Sequence, residues 1–586
     1  MKKIYGTLLV FIVSLIYLSA LAPTVSFRDS GDMVSAAFVL GISHPSGFPL
    51  YMLLGKLFSF IPFGEAGSRM ALLSLLSASF ACFFVYLSVK TLTSDRLPGL
   101  LSAVFLAFAL TFWSYAEIGE KYSLYALFAS ILLYLAVIGR IYLYAFFFGL
   151  GLTHHLALIV FGLPSIYLLW ITSRKKTILR TAGISLLCFS APLVLYLYLP
   201  LRAVAGTPLS WGSPDTLEKF INHITAREYR YAMFTGEPLS FPAKLYAQAV
   251  LNFIREFTLA GYITGLCGGV YLFMKNRKAA IFLFLALLSN ISIFVNYNIL
   301  DQQNIGTYYF ASFVIFSILI GCGAWTLNGK SLKKSGYLKA AVLLALFAVC
   351  LNLLGLNYGK TDRSSDWKYR DYGYNLLKSI EPGSMLFTNG DIPLFSLWYN
   401  QYVNGHDKKI DIMTLRSIDV EKTIEKNYPL QKIYFNAFPY ESLGWKNYFA
   451  VPEGIVYRIY KKNRQEIKID LKALLKKWEG YSIRGVYGAG DKKDLIISKL
   501  YAESHLMQGE FFADNGFYSE ALEQFEKTLR IFPDYIMAYL NVGLLAEQAG
   551  NTIAARSFYL NALKAMKNDS DGGELKQLRR QLREIL

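Results

Sequence analysis

The stretch VSFRDSGDMVSAAFVLGISHPSGFPLY, residues 25–51, gathers acid, base and cation side chains in an otherwise apolar part of the chain: Arg28, Asp29, Asp32 and His44. Asp29 and Asp32 are three residues apart, and a helix starting near Ser30 turns both carboxylates toward one face. A carboxylate at a membrane–water boundary is partly desolvated, which makes it a stronger base toward a hydroxyl. The same pair also suits a structural role, with Asp29 as N-cap and Asp32 complementing the helix dipole.

Further candidates stand at the ends of apolar runs: Glu117, Glu120 and Tyr122 at one, His154 and His155 at another, and Arg202 in YLPLR after a third. Arg28, Arg202, Arg227 and Arg230 carry the forked donor set that suits a phosphate, with Arg202 nearest headgroup depth. Arg202 equally suits snorkelling to the interface. Adjacent histidines on a helix face different directions, so a shared divalent-metal site is weakly supported and no cofactor is implied. Hydrogen bonding to phosphate or sugar suits His44, His154 and His155 better. Glu117 and Glu120 read either as solvated charges closing a span or as site residues. Trp211 and Tyr229 offer rings for stacking on a sugar, a use that competes with the aromatic belt of a membrane interface.

The elements that must position these groups are helices in a bilayer. Of 586 residues 54% are hydrophobic and only 17% are charged, against about 25% charge in ordinary soluble domains. Nearly all the long apolar runs lie in residues 1–357, and 360–586 reads as soluble. A span needs about 20 apolar residues. Candidates are 5–22, 69–89, 98–114, 122–139, 141–155, 156–172, 178–199, 256–273, 279–297, 307–326 and 338–356, eleven in all. ALAP at 20–23 resembles a signal-peptidase site, but Pro23 directly after the scissile bond blocks cleavage, so the first span reads as a retained anchor.

The net charge of +18 would suggest nucleic acid as a partner in a soluble protein. Here the basic residues sit in short loops, and no nucleic-acid motif is present. Lys2 and Lys3 precede the first span, and the turns at Lys90/Arg96, Arg140, Arg174-Lys175-Lys176, Lys275-Arg277-Lys278 and Lys330/Lys333/Lys334 are all basic. The positive-inside rule then places the N-terminus in the cytoplasm of an inner-membrane, multi-pass protein and the C-terminal half outside. The five cysteines all lie in apolar runs and read as small buried hydrophobes.

Several blocks together resemble a large prokaryotic family of membrane proteins of unknown function, itself similar to the eukaryotic transmembrane O-mannosyltransferase that acts on plexin-type receptor domains. They are DSGD…LGISHPSGFPLYMLLGKLF (29–58), RMALLSLLSA (69–78), FWSYAEIGEKYSLYALF (112–128), GLGLTHHLALIV (149–160), YLPLRAVAGTPLSWGSPDTLEKFINHITAREYRY (198–231) and LFTNGDIPLFSLWYNQY (386–402). The resemblance implies a GT-C type glycosyltransferase: a polytopic enzyme that takes a lipid-phosphate-linked sugar and keeps an essential acid in its first outward loop. Asp29 matches the family's leading Asp, and Asp32 stands where the family usually has Glu. The expected function is transfer of a mannose-like hexose from a polyprenyl-phosphate donor to an extracytoplasmic acceptor, a protein hydroxyl by analogy or a glycan, with one of these aspartates as base.

Residues 360–500 read as an α/β region, with strands in GSMLFTNGD, KIDIMTL, KIYFNAFP and GIVYRIYKK and a helix in IPLFSLWYNQYV. In 501–586, Gly509, Gly516, Ala521, Phe525 and Leu529 recur 34 residues later as Gly543, Gly550, Ala555, Tyr559 and Leu563. This period resembles tetratricopeptide repeats, an α-solenoid that either engages the acceptor or serves as a spacer. Residues 567–574 read as a linker. Two other functions compete: a flippase for lipid-linked glycans, and a membrane-anchored assembly scaffold. Transporters carry ionisable groups at the bilayer midplane, whereas here they cluster at span ends. A scaffold needs one anchor, not eleven.

Overall fold

The computed structural model describes residues 4–173, 175–233, 240–297, 305–328, 336–406, 408–415, 419–462, 470–486, 495–566, 577–580 and 582. Lys2, Lys3, Arg174, the basic turn at 330–334 and the linker at 567–574 lie outside the described residues. The chain forms two compact units, Met1–Val25 with Asp32–Ser365, and Ser26–Gly31 with Asp366–Leu586.

In the first unit every one of the eleven apolar stretches is helical. Five helices are long and apolar enough to cross a bilayer: Ala66–Thr93, Ile178–Val204, Leu245–Lys275, Arg277–Val295 and Leu344–Thr361. A sixth crossing needs the pair Leu97–Ala107 and Leu110–Ala116, bent by 72°. Ile4–Ser19, Tyr122–Val137, Ile141–Leu152, Leu156–Thr172 and Phe310–Thr326 are shorter, at 10–17 residues. At about 1.5 Å per residue these reach at most about 26 Å, less than the ~30 Å of a hydrocarbon core. Among the described residues, five helices, or six with the bent pair, thus pass by length and composition where the apolar windows suggest eleven. Windows of apolar residues do not register where the backbone breaks.

The bend at Phe108–Ala109 shows how such a break is sustained. Hydrocarbon offers no partner to a freed backbone group, so other helices must. The Tyr17 hydroxyl donates to the Ala107 carbonyl at 2.7 Å, and Asn357 Nδ2 donates to that of Phe108 at 2.9 Å. Glu256 accepts from the Thr111 N–H at 2.9 Å and from the Thr111 hydroxyl. Both half-helix ends are therefore satisfied, and the second half leads directly into the turn at 117–121. Cysteine burial is less uniform than composition suggests: Cys82, Cys322 and Cys350 are buried, but Cys188 is half-buried and Cys267 exposed. Both of the latter lie on apolar helices, whose outer surface is itself apolar.

The second unit contains a five-stranded sheet: β1 Met385–Thr388, β2 Asp411–Thr414, β3 Ile433–Phe435, β4 Tyr448–Glu453 and β5 Val456–Lys461, in the order β2-β1-β3-β5-β4. β1 pairs in parallel with β2 and β3, while β5 is antiparallel to β3 and β4. Met385, Phe387, Ile433, Phe435 and Tyr457 pack in one core cluster. Four strands coincide with the sequence expectation. The strand that sequence did not suggest, β4, holds Pro452, which lacks an N–H and so is tolerated at a sheet edge, where β4 lies. Helices Ile496–Asp514, Tyr518–Ile531, Ile536–Gln548 and Thr552–Met566 follow. A Cβ at Gly509 would strike the Phe525 ring and one at Gly543 the Tyr559 ring, so the same close helix contact recurs at the 34-residue period.

Candidate functional site

Helix Ser30–Val39 begins at the expected residue, with Asp32 in its first turn. Its far end is held by Arg202, whose Nε donates to the Leu40 carbonyl at 2.6 Å, and by Tyr198, whose hydroxyl donates to that of Gly41 at 2.7 Å. The chain then pairs with residues 209–211: the Ile42 N–H donates to the Leu209 carbonyl at 2.8 Å, and the Trp211 N–H to the Ile42 carbonyl at 3.1 Å. This return brings Ser43 and His44 against Asp32.

One oxygen of Asp32 accepts three bonds. The Ser43 hydroxyl and His44 Nδ1 each lie 2.5 Å from Oδ2, and the His44 backbone N–H is at 3.3 Å. Asp32 is 1% exposed and His44 8%. A carboxylate held this way fixes the histidine's orientation and places its proton on Nδ1, so exchange with any substrate runs through Nε2. The sequence singled out both residues without linking them.

A second group lies across the Phe48 ring, whose centroid is 5.0 Å from His44 and 5.6 Å from His155. Lys121 Nζ sits 5.3 Å from the centre of Phe48, 4.9 Å from that of Tyr122 and 3.6 Å from Glu120 Oε2. Lys121 is 2% exposed, and Glu117 and Glu120 are fully buried. Neither glutamate is the solvated end charge that one sequence reading allowed. Sequence reasoning passed over Lys121, although a lysine directly after two span-end glutamates was the available signal.

His154 and His155 have separate tasks. His154 Nε2–H donates to the Lys121 carbonyl at 2.9 Å while its ring stacks on Tyr51, so it fastens the 117–121 turn. His155 Nδ1 accepts from the Ala157 N–H at 3.1 Å, capping the short helix Leu156–Phe161, and its ring meets Tyr122 and Tyr125. Among the described residues no group of three or more His, Cys, Asp or Glu is placed to hold a metal ion.

His223, on helix Leu217–Ile224, is a member that sequence reasoning missed. It is 4% exposed, its Nε2 has no hydrogen-bond partner, and that atom lies 3.1 Å from where a Gly47 Cβ would stand. Burial, reinforced by nearby His44, pushes its pKa down to about 4 against the opposing pull of the Ser43 backbone and Asp32. It is therefore neutral at pH 7. Its only sequence signal is a histidine on the apolar side of a strongly amphipathic helix.

The remaining candidates disperse. Arg202 is spent on helix carbonyls, Arg227 bonds Asn222, and Arg230 is exposed. Tyr229 is half-buried. The Trp211 ring lies 6.1 Å from His44, and its indole N–H donates to Glu228 at 3.4 Å. Arg28 and Asp29 belong to the second unit, in the turn just before helix Ser30–Val39, with Arg28 in the left-handed region at φ 65°.

Residues 29–179 match the model of the protein O-mannosyl-transferase TMEM260 N-terminal domain, and residues 369–479 that of TMEM260-associated domain 2. The chain is 26% identical over 467 residues to the protein O-mannosyl-transferase tmem260 of Dictyostelium discoideum, covering 70% of this chain and 56% of that protein. It is 26% identical over 434 residues to protein O-mannosyl-transferase TMEM260 of Mus musculus, covering 68% and 61%. The chain thus spans about three fifths of the length of these relatives. In fold it is similar to ArnT from Cupriavidus metallidurans, in a crystal structure bound to undecaprenyl phosphate: the TM-score is 0.52 at 11% identity, over 79% of this chain and 99% of ArnT. The apo structure of ArnT aligns comparably, with a TM-score of 0.51. The chain is thus similar to the TMEM260 proteins over two separate domain types in the same order, on a multi-pass fold like that of ArnT.

Proposed function

We propose that this protein is a membrane glycosyltransferase that moves a mannose-like hexose from a polyprenyl-phosphate donor to a protein hydroxyl on the outer face of the cytoplasmic membrane. The observation that carries the reading is the buried constellation of Asp32, His44 and Lys121 around Phe48, next to a first-loop carboxylate in sequence. The relatives named as protein O-mannosyl-transferases support the acceptor and sugar, and the ArnT structure bound to undecaprenyl phosphate supports a lipid-phosphate donor.

The chemistry asks for little beyond these residue types. Polyprenyl phosphate is a good leaving group, so one displacement at the anomeric carbon suffices and inverts it. A base takes the acceptor's proton as its oxygen bonds to that carbon, and the bond to phosphate breaks with its electrons staying on phosphate. Asp29 is the base in this reading: it is a half-buried carboxylate in the turn before helix Ser30–Val39, and Asp32 serves to orient His44. Lys121, buried between aromatic rings, stabilises the charge that develops on phosphate. The basic loops place the N-terminus inside and the C-terminal half outside, and the 34-residue repeats there serve to engage the acceptor.

The test is transfer from radiolabelled polyprenyl-phosphate hexoses by the purified full-length protein, with membrane extract supplying acceptors. Wild type is expected to transfer and Asp29→Asn to lose about 10²–10⁴-fold in kcat. Wild-type protein that binds the lipid yet transfers from no donor would falsify the reading.

A further inference from the structure

The six residues Ser26–Gly31 fold with the second unit, although the chain on either side of them belongs to the first. Two contacts to the second unit mark the ends of this segment. The Ser26 hydroxyl donates to Asp366 Oδ2 at 2.6 Å, with both residues buried. At the other end Gly31 meets the backbone of Phe395: a Cβ there would lie 2.7 Å from the Phe395 carbonyl oxygen and 2.9 Å from its Cβ. A backbone neighbour cannot rotate away, so only glycine permits this approach. Between the two contacts, the Ser26 N–H donates to Ser30 Oγ at 3.3 Å and closes the turn that carries Arg28 and Asp29.

The holding elements are themselves rigid. Asp366 precedes helix Lys368–Ser379, which is fixed by buried Asp371: its carboxylate accepts from Arg484 at 2.7 and 2.8 Å and from the Ser482 hydroxyl at 2.8 Å. Phe395 sits in helix Asp391–Trp398, reached from β1 through Asn389, whose N–H donates to Asn436 Oδ1 at 2.6 Å. The block LFTNGDIPLFSLWYNQY supplies the surface on which Gly31 rests.

We infer that Asp366, acting through Ser26, and the Phe395 backbone against Gly31 are positioning elements for Asp29 within this second unit. The inference rests on Asp29 acting in transfer, as proposed above. A catalytic group displaced by about 1 Å loses on the order of 10²-fold in rate. Loosening of the 26–31 turn thereby lowers kcat through Asp29.

The test uses the full-length protein in lipid nanodiscs, with donor KM, kcat and amide hydrogen exchange read together. Gly31→Ala is expected to lower kcat about 100-fold and Ser26→Ala about 10-fold, with donor KM within about two-fold of wild type. Ser26→Thr, which keeps the hydroxyl, restores most of the rate. Exchange at residues 26–31 accelerates in Ser26→Ala while β1–β5 keep their protection. Unchanged kcat in both Gly31→Ala and Ser26→Ala overturns the inference even where Asp29→Asn is inactive. Wild-type activity in Asp29→Asn overturns the reading beneath it, and the exchange data separate that outcome from loss of the clamp itself.

Discussion

Both units bury polar side chains, but they finish them differently. In the C-terminal unit His505 stacks on Trp478 with centroids 3.7 Å apart and its Nδ1 lies 2.7 Å from Gln524 Oε1, while the Trp478 indole N–H donates to Gln508 at 2.6 Å. This network ties helix Leu471–Glu479 to the first two helices of the repeat segment. In the membrane unit, Asp32 and His44 form a pair whose second imidazole nitrogen is directed away from the bond to Asp32, and neighbouring His223 keeps an unpartnered buried nitrogen. Burial of a histidine is therefore no mark of a site by itself. What distinguishes the membrane-unit cluster is its chemistry: a carboxylate, an imidazole and a buried lysine gather around one aromatic ring, whereas the C-terminal network joins its histidine and indole to neutral amides.

That contrast is broken most directly by paired substitutions read for activity and for folding. Lys121→Met is expected to lower kcat by about 10²–10³-fold, the range for removing one preorganised charge stabiliser. His505→Phe, by comparison, should leave kcat within two-fold and lower the unfolding midpoint. Equal kcat losses in the two would dissolve the distinction between a reactive and a structural cluster.

Next in size is a core test confined to the C-terminal unit. Gly509→Ala and Gly543→Ala each push a methyl into an aromatic ring, Phe525 and Tyr559 respectively. Overpacking of this kind costs about 1–3 kcal/mol. Chemical denaturation should show similar losses in the two variants, because the contact is the same one repeated. Dissimilar losses would mean that the 34-residue repeat in sequence is not a repeat in energy.

At neutral pH, where the other tests are read, a last effect is silent, and it emerges only in acid. Burial pushes the His505 pKa down to about 3, against the helping bond from Gln524. The unfolded chain, with an ordinary value near 6.5, binds the proton first as pH falls. Folding stability is thus complete above about pH 6.5 and declines from there toward pH 3, by up to about 1.4 kcal/mol per pH unit. His505→Phe should flatten this part of the stability curve. A slope that survives the substitution would assign the acid sensitivity to other groups, His223 first among them.

The helical character of the eleven apolar stretches, four of five strands, and the period linking Gly509–Phe525 to Gly543–Tyr559 were all legible in the sequence. They rest on hydrophobic periodicity and on short-range propensity, which neighbouring residues carry in themselves. The first-loop carboxylates were legible for a similar reason, since an acid at a span end is conspicuous in an apolar chain. Strand β4 was not, because Pro452 argues against a strand until its edge position is known. The bend at Phe108–Ala109 was not either, because it is stabilised from afar by Tyr17, Glu256 and Asn357.

Sequence alone thus determined that this is a multi-pass membrane chain with reactive groups at helix ends and a folded C-terminal half. Tertiary structure decided which of those groups meet. Asp32 finds His44 only because Arg202, Tyr198 and residues 209–211 turn the loop back on itself. Lys121 becomes a buried cation only because Phe48 and Tyr122 close over it, and the Asp29 turn joins the C-terminal unit only because Gly31 admits Phe395. Each depends on at least one partner distant along the chain, Arg202, Phe48 or Phe395, and the free energy that selects it comes from packing and desolvation, which no local pattern of residues encodes.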